Sequence, residues 1–216
     1  MNYSYLNKSN KIFLLIYLVC LILFFYPVFY VNKLHLISEY NFPNNNFLLQ
    51  LFRFLTRLAE GIFVAVVIIF LFFKKIKYAL AILFSVVVSG IFAQFFKRIL
   101  FSDHYRPYHY FKGLNDLHWM DMHEKIEYFS FPSGHTTTAF ALFFVLIFIV
   151  QKTWVKSILF ILMIFVGLSR VYLYQHFHRD IYAGSILGTV FALLSLPILK
   201  TQKPLFQKSV IQLFNK

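Results

Sequence analysis

Apolar residues in this 216-residue chain gather into long unbroken runs. They show neither the alternation of a half-buried strand nor the one-sided stripe of a surface helix. Six runs stand out, at residues 12–31, 58–73, 78–96, 136–150, 157–168 and 181–199. A bilayer core needs about 20 residues of apolar helix. The pattern therefore predicts an all-α, polytopic membrane protein in which six transmembrane helices form a bundle. The second and fifth runs are short and must extend into their flanks. The polar intervals include Phe42-Pro43-Asn44-Asn45-Asn46-Phe47, a turn signal, followed by a short surface helix expected over residues 47–57. No repeat or linker divides the chain. The expected organisation is one domain: a first helix and outer loop (1–57), a core of five helices (58–199) and a basic tail (200–216).

Composition agrees. The chain is 60% hydrophobic, 21% aromatic and 13% charged, with a mean hydropathy of +0.68, whereas a soluble domain carries roughly 25% charged residues. The first apolar run is too long for the core of a signal peptide, and no small-residue cleavage site follows Tyr26-Pro27. Val19 is too large to precede a lipoprotein cysteine at Cys20, so the run is expected to remain as a helix. Cys20 is the single cysteine, which excludes an intramolecular disulfide.

Net charge is +13, and its distribution argues against nucleic acid. With six crossings and the N-terminus inside, residues 1–11, 74–77, 151–156 and 200–216 face the cytoplasm. They hold eleven lysines and no acid, while the longer outer segments hold the other ten basic residues and all eight acids. Dense positive charge on short inner segments favours both termini inside. The lysines then serve topology and anionic-lipid attraction.

With that topology, three polar motifs emerge on the outer face. Lys97, Arg106 and Arg170 are cations at one membrane level, suited to phosphate oxygens. Pro132-Ser133-Gly134-His135 opens the fourth run. Ser133 can cap the helix, Gly134 lets the backbone approach a ligand, and the free N–H groups there favour an anion. In Ser169-Arg170-Val-Tyr-Leu-Tyr-Gln-His176-Phe-His178-Arg179-Asp180, His176 and Asp180 share a face if the helix has begun. A carboxylate on Nδ1 would fix the tautomer of His176 and leave Nε2 nucleophilic. His135 could protonate a leaving oxygen. A rival reading takes His176, His178 and Asp180 as metal ligands of a membrane hydrolase. On a helix, however, positions 176 and 178 point about 200° apart.

These motifs resemble those of the type 2 phosphatidic acid phosphatase superfamily of membrane phosphatases, which is related to vanadium haloperoxidases and glucose-6-phosphatase. The family signatures are Lys-x6-Arg-Pro, Pro-Ser-Gly-His and Ser-Arg-x5-His-x3-Asp. Pro132–His135 fits the second and Ser169–Asp180 fits the third at full spacing. The first departs, because eight residues separate Lys97 from Arg106-Pro107. Either the longer loop still lets Lys97 reach or Arg98 replaces it; Lys97 is preferred. The resemblance spans about residues 58–199. It implies His176 as nucleophile, Asp180 as its orienter and His135 as acid, then base. Lys97, Arg106, Ser133, Gly134 and Arg170 would hold phosphate, without metal or cofactor.

The resulting expectation is a lipid phosphatase of the bacterial inner membrane, working through a phosphohistidine on the periplasmic side. Its partners would be the bilayer and a lipid phosphate, with no nucleic acid. Undecaprenyl diphosphate and lipid A phosphates are alternatives within that reading. A transporter would place charges at mid-membrane; here they cluster at helix ends. Four glycines in or near spans, at 61, 90, 167 and 188, are ascribed to close helix packing. His104, His109, His118, His123 and His178 receive no role.

Overall fold

A computed structural model describes residues 5–32, 34, 45–111 and 126–214. His118, His123, Phe42-Pro43-Asn44 and Lys216 lie outside the described residues. Every regular element among the described residues is helical: α1 (Lys8–Tyr30), α2 (Asn46–Arg57), α3 (Gly61–Phe72) and α4 (Ile76–Phe95), then a π turn (Phe96–Leu100). After these come α5 (Pro107–Phe111), α6 (Gly134–Ile149), α7 (Thr153–Tyr172) and α8 (His178–Leu194), then the short α9 (Leu196–Lys200), α10 (Pro204–Gln207) and α11 (Ile211–Phe214).

All six apolar runs lie in helices, but the helices are not equivalent. Four stretches are long and apolar enough to cross a bilayer: Lys8–Tyr30, Ile76–Leu100, Thr153–Tyr172 and His178–Lys200. The second run differs from expectation. α3 has only 12 residues and reaches spanning length only with α2, across a 50° bend. Helix α6 has 16 residues, about 24 Å at the α-helical rise of 1.5 Å per residue and short of a ~30 Å hydrocarbon core. Among the described residues, length and composition therefore define four or five candidate spans.

Helix α6 is the axis of the bundle. Ala139, Ala141, Leu142, Phe144, Val145 and Ile147 have no exposed surface, and α4, α7 and α8 surround it. The outer faces of α1, α3 and α4 remain apolar and exposed, as at Ile22, Ile62 and Ile91. Apolar residues inside and out are what a lipid surround demands. Two glycines of α8 allow its close approach to α6. A Cβ on Gly184 would lie 2.7 Å from Ser133 O, and one on Gly188 would overlap Thr137 O. Gly167 meets Thr136 Cγ2 only at ordinary contact, 3.5 Å, and nothing stands within 4 Å of a Cβ on Gly61 or Gly90. Close packing thus explains Gly188, and leaves Gly61 and Gly90 as open space.

Polar side chains tie α1 to the bundle. Tyr17 Oη pairs with Ser185 Oγ at 3.1 Å and Tyr182 Oη donates to Leu21 O at 2.9 Å. Two lysines assigned to inner loops are instead inside. Lys77 and Lys156 are buried; Lys156 Nζ donates to Asn10 Oδ1 at 2.5 Å, and Lys77 lies over the Tyr5 ring. Their long apolar stems pack in the bundle while each ammonium finds a polar or aromatic partner.

Candidate active site

The three motifs meet at one end of the bundle. A cavity of about 440 Å³ is lined by Lys97, Arg106, Gly134, His135, Arg170 and His176 together with Thr138, and also by Ala59, Glu60, Gly61, Gly90, Ala93 and Gln94. Residues far apart in sequence converge because α6 begins, α7 ends and α4 ends at the same level.

The third motif works by helix capping. Helix α8 starts at His178, with Phe177 as its N-cap, so His176 precedes the helix instead of sharing its face. Asp180 occupies the third helical position, and its Oδ2 accepts the Phe177 N–H at 2.9 Å. That folds the carboxylate back toward His176, whose Nδ1 lies 3.4 Å away. The hydroxyl of Ser130 donates to the same Oδ2 and lies 3.5 Å from His176 Nδ1. Both His176 and Asp180 are 1% exposed. Burial, then the charges of Arg106, Lys97 and Arg170, push the His176 imidazole well below its usual 6.5. The ring is therefore neutral, with Nδ1 turned to the carboxylate and Nε2 left for chemistry.

Ser133 does not line the cavity. It is fully buried and caps α6, its Oγ accepting from Thr136 N at 3.4 Å and Thr136 Oγ1 at 3.0 Å. Its own N–H donates to Asp180 O at 3.0 Å, which locks the start of α6 to the start of α8. The N–H groups of Gly134 and His135, both cavity residues, have no acceptor among the described residues. Exposed N–H groups at a helix start suit an anion.

Each arginine is aimed by a side chain that sequence reasoning missed. Arg106 Nη1 donates to Gln175 Oε1 at 2.8 Å and its Nε donates to Tyr128 O at 3.1 Å. Arg170 Nη1 donates to Thr56 Oγ1 at 2.7 Å. Thr56 belongs to α2, which a small cluster of Leu49, Phe52 and Tyr172 fastens to α7. Gln175 and Ser130 had a weak signal, as polar neighbours of the motifs; Thr56 had none. At the first motif, Lys97 sits in the π turn, buried and facing the cavity. Arg98 is exposed and its Nε donates to Gln94 Oε1 at 3.4 Å. The structure brings Lys97, not Arg98, to Arg106 despite the eight-residue spacing.

The other histidines among the described residues stand apart from the cavity. His109 pairs with Glu127 at 2.8 Å and stacks on Tyr105. His104 packs against Phe101 and Phe131. His178 lines a separate apolar pocket with Tyr17, Thr136 and Tyr182, so it does not join His176 and Asp180 as the metal reading requires.

Residues 75–204 match the PAP2 superfamily, and the chain belongs to that superfamily. A lipid A 1-phosphatase of Rhizobium johnstonii is 33% identical over 115 residues, which are 52% of this chain and 44% of that protein. The chain thus matches less than half the length of that relative. Two crystal structures share the fold, each with a TM-score of 0.64. Aquifex aeolicus LpxE is 24% identical, with 76% of this chain and 94% of that chain covered. The transmembrane PAP2-type phosphatidylglycerolphosphate phosphatase from Bacillus subtilis is 21% identical, with coverage of 91% and 98%. Fold and candidate spans together describe a multi-pass membrane protein.

Proposed function

We propose that this protein is a phosphatase of membrane lipids, acting through a phosphohistidine at the periplasmic face of the bacterial inner membrane, with both termini cytoplasmic. One observation carries the reading: His176, His135 and three cations line a single cavity at one end of an apolar bundle. The phosphoryl group would sit among Lys97, Arg106, Arg170 and the N–H groups of Gly134 and His135, which neutralise charge as it builds on the equatorial oxygens. Nε2 of His176 attacks phosphorus in line, and the P–O bond to the lipid breaks as His135 gives a proton to the departing oxygen. Burial and the three cations hold the His135 pKa down to about 3, so it takes up that proton only once the phosphate's negative charge sits among those cations. His135 then takes a proton from water, which attacks phosphorus, breaks the P–N bond and frees His176 and phosphate. Asp180, held by Ser130 and Phe177 N–H, keeps the His176 proton on Nδ1 throughout.

The reaction so written uses side chains and backbone N–H groups of this chain together with water. Release of phosphate from lipid phosphomonoesters and diphosphates by the purified chain in detergent tests the proposal. Activity that persists in excess EDTA and vanishes in His176→Ala is expected. Wild-type rates in His176→Ala, or abolition by EDTA, would overturn it. The lipid A 1-phosphatase among the relatives favours a phosphorylated glycolipid over undecaprenyl diphosphate as substrate.

A further inference from the structure

The cavity has two chemically different walls. Cations and histidines form one. The other carries no positive charge: it consists of Ala59, Gly61, Gly90 and Ala93 with two polar residues, Glu60 and Gln94. With nothing within 4 Å of a Cβ at Gly61 or Gly90, this wall has room for a ligand group beyond the phosphate.

Glu60 is distinctive there. It is exposed and serves as the N-cap residue of α3, but its carboxylate makes no capping hydrogen bond and no salt bridge among the described residues. It faces a cavity containing three cations and pairs with none of them. Its position follows from the 50° bend between α2 and α3, which brings Ala59-Glu60-Gly61 to the rim. Gln94, opposite in character, has its Oε1 engaged by Arg98 at 3.4 Å, which leaves the amide N–H groups as its free donors. Residues 59–61 lie outside the stretch 75–204 that matches the superfamily, whereas Gly90, Ala93 and Gln94 lie within it.

The geometry points to Glu60 as a specificity-determining residue that selects phosphomonoesters whose head group bears hydroxyls and rejects diphosphates; this rests on the lipid-phosphatase reading. An ionised carboxylate only accepts hydrogen bonds. Placed beside the phosphate site, it rewards a hydroxyl donor on the carbon skeleton next to the scissile bond, while the amide of Gln94 can donate to the same hydroxyl oxygen. A second phosphoryl group in that space would bring like charge against Glu60. Repulsion of that kind is the means by which a site discriminates against a competitor that its cations alone would welcome.

The test measures kcat/KM of the full chain in one detergent for three lipids: phosphatidylglycerophosphate, phosphatidic acid and farnesyl diphosphate. Wild type is expected to favour the hydroxyl-bearing monoester. Removing one like charge near the exposed rim should raise the diphosphate-to-monoester ratio about two- to fivefold in Glu60→Gln. Glu60→Ala should raise that ratio similarly and also erase the preference for phosphatidylglycerophosphate over phosphatidic acid. Unchanged ratios in both variants, with His176→Ala inactive, would overturn the role of Glu60 while leaving the phosphatase reading intact. A wild type that prefers the diphosphate would do the same. No release from any of the three lipids would overturn both.

Discussion

A single methyl group at position 188 should disable the site from a distance. In Gly188→Ala the new Cβ would stand 2.8 Å from Ala141 N and 2.8 Å from Phe140 Cβ, with Thr137 O closer still. All three atoms belong to the backbone or Cβ positions of α6, so no side-chain rotation relieves them. Carbon contacts are comfortable only from about 3.5 Å, so α8 must withdraw by roughly 1 Å. Overpacking of this kind costs about 1–3 kcal/mol, against which alanine's better helix propensity returns at most ~1 kcal/mol. The net loss of about 1 kcal/mol corresponds to a Tm lower by roughly 2–4 °C in a chain of this size. The functional effect is larger. Helix α8 begins with the Phe177–Asp180 cap, while α6 carries His135 in its first turn, and a misplacement of ~1 Å between reacting groups costs on the order of 10²-fold in rate. Thermal unfolding and initial rates of phosphate release, both in detergent, measure the two effects. Gly167→Ala, whose Cβ meets Thr136 at an ordinary 3.5 Å, should keep its Tm and turnover. Wild-type Tm and rate in Gly188→Ala would refute the claim that helix contact sets the catalytic geometry.

Three other outcomes follow from the site. Asp180→Asn keeps the shape of the α8 cap but turns an amide toward His176 Nδ1 and so favours the wrong tautomer; kcat should fall about 10³–10⁴-fold, with phosphate release as the assay. Lys97→Ala should lower kcat/KM by roughly 10²-fold or more as a phosphate contact is lost, whereas exposed Arg98→Ala should stay within about threefold; equal effects would contradict the placement of the π turn. His176, held neutral by burial and neighbouring cations, gives a signed pH dependence of stability. Above about pH 6.5 neither the folded nor the unfolded chain protonates it. As pH falls through that value the unfolded chain takes up the proton and the folded chain does not, so the folded state loses about 1.4 kcal/mol per pH unit from this group. Melting in detergent from about pH 7 to 5 should therefore decline more steeply in wild type than in His176→Ala.

The apolar runs made the bundle legible because lipid and core both demand apolar residues, so each helix announces itself whichever way it faces. The same redundancy concealed which helix is central: the apolar stretch of α6 after its polar start reads like that of α3, and only packing shows α6 enclosed. The spacing in the third motif was readable, but for a different reason than a shared helical face. Asp180 reaches His176 because it caps the helix that starts between them. Ser133 was readable as a cap and misleading as a cavity residue, since capping turns its hydroxyl inward. Thr56, Glu60 and Gly61 were invisible as site residues, because the bend that delivers them depends on α2 docking against Tyr172 of α7. Contacts between segments over a hundred residues apart, such as Thr56 with Arg170, leave no local pattern.

The central claim is a covalent one, and trapping it is the most direct measurement. Purified protein is mixed with a lipid phosphomonoester radiolabelled in the phosphate, quenched within a turnover under alkaline denaturing conditions, and digested for peptide mapping. Acid-labile, base-stable label on the peptide carrying His176, absent from His176→Ala and retained longer when His135 is replaced, is the predicted result. Phosphate release without any protein-bound label, or label that survives His176→Ala, would contradict the account.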